Sequence, residues 1–308
     1  MQDGSRKAII AAFLANLGIA IAKFAGFLIT GSAGLLAEAM HSLADTGNQG
    51  LLMFGSKRAK RRADAAHPFG YGPERYFWAF VVALVLFSLG GLFALFEGIE
   101  KLIDPHEVES PSVAFVILGI AIVLESWSLR TAVRESRPSK KAADSWWRFI
   151  RSTKSPELPV VLLEDTGALI GLFFAVAGLT LAEVTDDPRW DAVGSIAIGI
   201  LLVMIAITLA VEMKGLLIGE SATEDDLERI ERSLTEPDAV LGIIHLRTMH
   251  LGPDDLLVAA KVEFDHGLDN AGLAKAIDEA ERCLRAAVPI ATTVYIEPDI
   301  RRAPLATS

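Results

Sequence analysis

Ionisable side chains interrupt a long apolar stretch of this sequence at residues 33–55. Glu38, His41 and Asp45 lie there, and His41 and Asp45 are four residues apart. On an α-helix this spacing places two side chains on one face about a turn apart, and Glu38 falls on the same side. An imidazole beside a carboxylate suits zinc and other first-row divalent ions. The pattern predicts a metal-binding face, with a histidine–carboxylate pair that only links helices as the alternative.

A second acidic pair, Glu164 and Asp165, interrupts another apolar stretch at residues 158–182. Adjacent helical residues point about 100° apart, so both carboxylates cannot face one ligand without distortion. We expect one of them to complete the site with His41 and Asp45, and the other to contact a neighbouring helix or water. Three ligands leave a labile position, which suits an ion that must both bind and leave.

Three more ionisable side chains fall within apolar stretches, where each costs roughly 2.5–3.5 kcal/mol even on lenient scales. Lys23 and Glu97 are expected near the membrane interface, because long charged side chains commonly reach it. Glu125 lies deeper in its stretch and is a candidate for pairing or for carrying protons.

The elements that must hold these residues are transmembrane helices, since about 20 apolar residues span the hydrocarbon core. Hydrophobic residues make up 52% of the chain and are concentrated in its first two thirds. Six segments are long enough: about 8–30, 33–55, 77–101, 111–133, 158–182 and 191–213. The sequence thus predicts an all-α membrane domain of six helices over residues 1–213.

Charge in the connections predicts the orientation of these helices. The 56–76 connection contains six basic residues and the 134–158 connection contains seven, whereas the 182–191 turn is mainly acidic. Because basic loops remain on the cytoplasmic side, both termini are expected to be cytoplasmic.

Residues 214–308 have the composition of a soluble domain, with 18 acidic and 10 basic side chains from Lys214 onward. This acidic balance argues against nucleic acid as a partner. A capped helix from Thr223, two β-rich segments, a helix at about 270–287 and a last strand predict an αββαβ, ferredoxin-like cytoplasmic domain. The single cysteine, Cys283, excludes a thiolate zinc cluster within the chain.

Three segments together resemble the cation diffusion facilitator family. GSAGLLAEAMHSLADTGNQ resembles its second helix, HPFGYGPERYFWAF at 67–80 the loop into its third, and DAVGSIAIGILLV at 191–203 its sixth. The αββαβ unit resembles the family's cytoplasmic domain, so the likeness covers about residues 8–300. The resemblance implies a homodimer in which each subunit exchanges a divalent cation for protons by alternating access.

The resemblance also implies a central site with two ligands from the second helix and two from the fifth. His41, Asp45 and Asp165 match that pattern, but Val161 stands where the fourth ligand is expected. Either Glu164 turns in, Glu38 or water substitutes, or the site has three protein ligands.

Three accessory features follow from the same resemblance. A loop site matches at Asp64 and His67, while Tyr71 occupies the position of another common ligand. In the cytoplasmic domain, the residues that remain able to bind metal are Glu297 and Asp299. The charged residues that would interlock the two subunits are Arg75 and Glu220.

The function expected from the sequence is export of a divalent cation, zinc first, in exchange for protons. Fe(II), Mn(II) and Co(II) are alternative cargoes, because such ligands bind them too. A non-transporting, metal-responsive membrane scaffold on the same fold is the rival interpretation. We expect a multi-pass protein of the bacterial inner membrane, with the lipid bilayer as its surroundings, and neither enzymatic activity nor an organic cofactor.

Overall fold

The computed structural model describes residues 3–301, with side chains from residue 17 onward. One compact unit comprises the residues up to Arg58 together with Glu74–Lys214. Its helices are α1 (Asp3–Thr30), α2 (Ala33–Ala59), α3 (Glu74–Val85), α4 (Phe93–Ile103), α5 (Pro111–Ser136), α6 (Trp146–Ser152), α7 (Glu157–Thr185) and α8 (Arg189–Ile218). A π-helical segment, Leu86–Leu92, joins α3 to α4.

Within the described residues, four helical stretches are long and apolar enough to cross a membrane. They are Glu74–Ile103, Pro111–Ser139, Glu157–Thr185 and Arg189–Ile218. The described part of α1 contributes a shorter apolar stretch, Leu17–Thr30. The 27-residue α2 lies outside this set, because its ionisable and amide side chains lower its hydropathy.

Local sequence explains where several of these helices begin and end. Gly31, with φ of 64°, adopts a left-handed conformation that glycine tolerates, and it separates α1 from α2 by a two-residue turn. Pro111 occupies the first turn of α5, where its missing N–H costs nothing. Pro156 likewise precedes α7.

Close packing fixes α4 against α8, and α5 packs against both α7 and α1. A Cβ at Gly98 of α4 would lie 2.9 Å from the Ile196 amide nitrogen and 3.0 Å from the Ala192 carbonyl oxygen. Only a glycine permits this approach of one helix backbone to the other.

The second compact unit joins Ala59–Pro73 to the residues from Gly215 onward. Its elements are α9 (Glu224–Leu234), β1 (Val240–Gly252), β2 (Asp255–Phe264), α10 (Asn270–Ala287) and β3 (Thr293–Pro298). The sheet order is β1-β2-β3, with β1 antiparallel and β3 parallel to β2. Alternate residues of β2 point into an apolar core with α9 and α10, so the two helices cover one face of the sheet.

Two features of the helical unit differ from the sequence-based picture. The third span is one regular helix in the prediction, but its centre is the π-helical segment Leu86–Leu92. The basic connection after α5 holds a short helix, α6, whose N-cap Ser145 accepts a hydrogen bond from the Arg148 amide. Neither feature changes hydrophobic periodicity enough to be visible in the sequence.

Candidate metal centre

The polar face of α2 lies in the interior of the helical unit. Glu38, His41 and Asn48 are fully buried, and 14% of the Asp45 side chain is exposed. His41 Nδ1 lies 3.5 Å from Asp45 Oδ1. Among the described residues, neither ring nitrogen of His41 nor Asp45 Oδ1 has a hydrogen-bond partner.

Such unpaired buried atoms are unusual, because each costs about 1–3 kcal/mol of desolvation without a compensating bond. In a neutral imidazole one ring nitrogen carries a proton and the other can bind a cation, so either nitrogen of His41 can serve according to the tautomer, and Asp45 offers a carboxylate oxygen. Helical spacing of four residues places these atoms side by side. The α2 face therefore has the donor chemistry of a cation-binding surface.

The two acidic residues of α7 contact different neighbours. Glu164 Oε1 accepts a hydrogen bond of 2.6 Å from Asn48 Nδ2 on α2. Asp165 Oδ2 accepts one of 3.0 Å from Ser128 Oγ on α5. They diverge because adjacent helical residues point about 100° apart. Glu164 thus faces the helix that carries His41, and Asp165 faces α5.

Val161, at the position where the family resemblance implies a ligand, is half-buried in an apolar cluster. It packs beside Ala132, Phe149 and Leu162. Val161 therefore packs against α5 and α6. The acidic residue of α7 that contacts α2 is Glu164.

The described residues do not bring three or more His, Cys, Asp or Glu side chains together as a group able to hold a metal ion. The predicted donors are nevertheless neighbours. Glu164 bonds to Asn48, which lies three residues after Asp45 on α2, and Asp165 is the next residue of α7. The helices α2 and α7 therefore gather the predicted ligands in one region without closing a coordination shell.

Lys23 is buried in α1, which corrects the expectation that it lies near the membrane interface. Its side chain is 1% exposed, and Nζ donates to Glu38 Oε2 at 3.0 Å and to Ser42 Oγ at 2.8 Å. Glu125 Oε1 of α5 lies 3.6 Å from the same nitrogen. Glu38 and Glu125 therefore both compensate a lysine. Glu97, the other residue expected near the interface, is half-buried in α4.

A second buried ion pair joins α4 to α8 and was not anticipated from the sequence. Lys101 Nζ donates to Asp191 Oδ2 at 2.9 Å, and both side chains are 1% exposed. Asp191 also accepts bonds from Ser32 Oγ and the Ala33 amide, which begins α2. The sequence shows a lysine at the end of one apolar segment and an aspartate at the start of another. It does not show that they pair, because pairing depends on which helices are neighbours.

The loop residues Asp64 and His67 lie in the second unit, within a turn organised by hydrogen bonds. Asp64 accepts bonds from the Ala66 and His67 amides and from Tyr71 Oη, the last at 2.7 Å. The Tyr71 hydroxyl, with these amides, lowers the pKa of the Asp64 carboxyl. Tyr71 thus occupies one Asp64 oxygen directly, while His67 Nδ1 lies 3.6 Å from the other.

Glu297 and Asp299, the predicted cytoplasmic ligands, both contact a lysine of β2. Lys261 Nζ donates to Glu297 Oε1 at 3.0 Å and to Asp299 Oδ2 at 3.4 Å. The hydrogen bond and charge of Glu297 raise the pKa of Lys261, with a smaller effect of Asp299. An ammonium group therefore lies where these carboxylates would otherwise attract a cation.

The residues of the predicted interlock have contacts within the single chain. Arg75 donates to both carboxylate oxygens of Glu157 at the start of α7, at 2.7 Å and 2.9 Å. Glu220 accepts a bond from the His250 amide through its backbone oxygen. The interlock between subunits stays a prediction, but Arg75 has an intrachain partner that the resemblance did not indicate.

Comparison with protein families accounts for most of the chain. A model described as the cation efflux transmembrane domain matches residues 9–218, and one described as the cation efflux protein cytoplasmic domain matches residues 222–299. These matches, with the apolar helices and the small helix-covered sheet, confirm the predicted fold class.

Three relatives show the range of proteins with similar sequences. The proton-coupled zinc antiporter SLC30A9, mitochondrial, of Homo sapiens is 31% identical over 85% of this chain and 46% of its own length. Magnetosome protein MamB of Magnetospira sp. is 29% identical over 79% of this chain and 78% of its own. Zinc transporter ZitB of Pectobacterium atrosepticum is 26% identical over 81% and 71%.

The chain spans about half the length of the human relative, so the likeness covers part of that protein. The family model, by contrast, covers well over half of this chain and includes every residue of the α2 and α7 polar faces. On that basis the chain is a multi-pass integral membrane protein that belongs to the cation efflux, or cation diffusion facilitator, family.

Proposed function

We propose that this protein exports divalent metal cations, zinc first, across a membrane in exchange for protons, and is not an enzyme. The names of its relatives support zinc as the cargo and protons as the counter-ion, since two of the three describe zinc transport and one describes coupling to protons. Fe(II), Mn(II) and Co(II) remain alternative cargoes, because imidazole and carboxylate ligands accept each of them.

The proposal rests mainly on one observation: possible metal-ligating atoms of His41 and Asp45 lie in the interior of a membrane domain without hydrogen-bond partners among the described residues. The structure describes no hydrogen-bond partner for either ring nitrogen of His41 or for Asp45 Oδ1. Ionisable groups at membrane depth are expensive and usually mark ion pathways. A transported cation would compensate these atoms during each cycle.

We assign the remaining coordination to α7. Asp165 follows the family pattern, and Glu164 replaces the ligand lost at Val161, since Glu164 is the residue that reaches α2. Each carboxylate uses one oxygen in its present bond, Asp165 Oδ2 with Ser128 and Glu164 Oε1 with Asn48, so we assign the second oxygen of each to the metal. Incomplete coordination in one state is compatible with transport, because the ion must also leave.

Proton exchange follows from the protonation state that metal binding requires. Histidine and carboxylates bind metal in deprotonated form, so cation binding releases protons and reprotonation favours release of the metal.

We also propose a homodimer in a bacterial inner membrane, with both termini cytoplasmic. The basic connections between α2 and α3 and between α5 and α7 support that orientation, and the match to the family's cytoplasmic domain supports dimerisation. In this assignment, residues 1–213 form the membrane domain and residues 214–308 the cytoplasmic one.

Reconstituted transport tests the assignment of the site. Purified protein in liposomes with an acidic lumen should accumulate Zn²⁺ as protons leave, and Asp45→Ala or His41→Ala should reduce this flux to the level of empty liposomes. Glu183→Ala, which removes an exposed carboxylate at the end of α7, is the matched control and should retain flux. Wild-type flux that persists in Asp45→Ala would reject the site.

A metal-responsive scaffold is the second candidate, favoured by the open coordination shell within the described residues. A scaffold should bind metal in equilibrium dialysis, lose that binding in His41→Ala and show no wild-type flux. Flux that depends on His41 would exclude it.

A further inference from the structure

Lys23 is a buried charge that the proposed transport cycle does not use. Its ammonium is 1% exposed in a helix of the membrane domain and lies among oxygen atoms of two other helices. These are Glu38 Oε2 at 3.0 Å, Ser42 Oγ at 2.8 Å and Glu125 Oε1 at 3.6 Å. Three protein oxygens around one positive charge have the composition of a cation site.

A further oxygen of this cluster is unoccupied among the described residues. Glu38 Oε1 is buried and has no hydrogen-bond partner there. It lies against Gly171 of α7, where a Cβ would collide with it. The glycine therefore makes room for the Glu38 carboxylate itself.

We propose that Glu38, Ser42 and Glu125 form a second cation site in the membrane domain, and that the chain's own Lys23 ammonium occupies it. All of its ligands are oxygen atoms, so its intrinsic preference is for hard divalent cations such as Mn²⁺ or Mg²⁺. The His41–Asp45 face contains an imidazole and prefers zinc instead. Lys23 therefore restricts the membrane domain to a single exchangeable ion.

This role goes beyond that of a salt bridge which only links helices. A linking pair needs one carboxylate, and the Lys101–Asp191 pair shows that arrangement, with the other Asp191 contacts supplied by Ser32 and the Ala33 amide. Lys23 faces two carboxylates, one of which keeps an unpaired oxygen. Removing its charge leaves an acidic site with no internal cation.

Counting bound metal tests the proposal on the full-length protein in detergent. The protein is dialysed at neutral pH against Mn²⁺ with Zn²⁺ present, and both metals are counted by mass spectrometry. Lys23→Met should bind one more divalent ion per protomer than wild type, and Lys23→Arg should bind no more than wild type. Lys101→Met is the matched control for loss of a buried lysine and should add no ion.

Lys23→Gln repeats the measurement with a side chain that still donates a hydrogen bond to Glu38, in case Lys23→Met fails to fold. Adding Glu125→Gln to Lys23→Gln should abolish the extra ion. An unchanged ion count in folded Lys23→Gln, or an extra ion in Lys23→Arg, would overturn the proposal.

The readout is binding, so it separates this inference from the proposed transport. A wild-type protein without zinc flux, together with an extra ion in Lys23→Gln, would remove the exporter and keep the second site. Zinc flux in the wild type, with no extra ion in Lys23→Gln, would support the exporter and reject the second site.

Discussion

At the scale of single residues, the membrane domain contains two kinds of buried charge. Lys23 and Lys101 each have carboxylates at hydrogen-bond distance, as expected because an uncompensated charge in an apolar interior is very costly. His41 and Asp45 differ, since donor atoms of both lack partners among the described residues. This contrast separates charged groups that are compensated within the protein from groups that are available to a ligand.

Asn48 provides the first residue-scale prediction, because it ties Glu164 to the helix of the candidate site. Asn48→Leu leaves Glu164 Oε1 buried without its 2.6 Å donor. We expect a loss of about 1–3 kcal/mol in the free energy of unfolding, together with weaker zinc binding, because Glu164 is no longer held towards α2. Thermal unfolding in detergent and zinc titration measure the two effects.

Gln49→Leu is the control for this variant, since it replaces the neighbouring amide on the same helix. Retention of wild-type stability in Asn48→Leu, or an equal loss in Gln49→Leu, would argue against a specific role for Asn48.

At the scale of elements, the helices are positioned by close backbone contacts and by polar groups at their ends. Gly98 allows α4 to approach α8, and Asp191 joins the start of α8 to the start of α2. The π-helical segment Leu86–Leu92 lies in the same span as Gly98. Such segments are rare and occur often at functional sites, so this span combines an irregular centre with a tightly packed C-terminal half.

The contact at Gly98 yields a prediction about helix packing. Gly98→Ala places a methyl group against backbone atoms of Ile196 and Ala192, which cannot move aside as a side chain can. Overpacking of this kind costs about 1–3 kcal/mol, so the unfolding temperature should fall. Gly119→Ala of α5 is the control, because a Cβ there meets nothing within 4 Å. Equal stability of the two variants would show that α4 and α8 tolerate separation.

At the scale of the whole molecule, the chain forms two compact units, and the segment Ala59–Pro73 belongs to the one that contains the sheet. The turn of Asp64, Tyr71 and His67 lies in that segment. Within the same unit, Gly72 lies against the backbone of Leu251, at the end of β1. The connection between the second and third spans is therefore part of a folded domain rather than a separate loop.

Arg75 supports the last prediction, which concerns assembly. Its two hydrogen bonds to Glu157 join the start of α3 to the start of α7 within one chain. Arg75→Glu should destabilise the protein, and Arg75→Glu with Glu157→Arg should recover it with a coupling energy of about 0.5–3 kcal/mol. Unfolding and light scattering in detergent measure stability and dimer content.

Glu220 distinguishes the intrachain pair from the predicted interlock between subunits. If Arg75→Glu with Glu220→Arg restores dimers, while the Glu157 double variant does not, Arg75 acts across the dimer. Recovery only with Glu157→Arg would limit its role to the protomer.

The sequence by itself determined the fold class and the residue types of the candidate site. Six apolar segments demand helices, because a bilayer leaves backbone groups no other partner, and the period of four places His41 beside Asp45 on any such helix. The αββαβ order of the second unit followed from alternation and turn residues, and the structure has that order. These properties are local, so each is encoded within a few adjacent residues.

Only the tertiary structure decided which distant side chains meet. The burial of Lys23 between Glu38 and Glu125, the choice of Glu164 rather than Asp165 to face α2, and the Lys101–Asp191 pair all depend on helix rotation and neighbours. Sequence spacing fixes the direction of a side chain relative to its own helix, but not which helix lies opposite. That choice results from packing of small residues such as Gly98 and Gly171, whose consequences appear only when the helices are assembled.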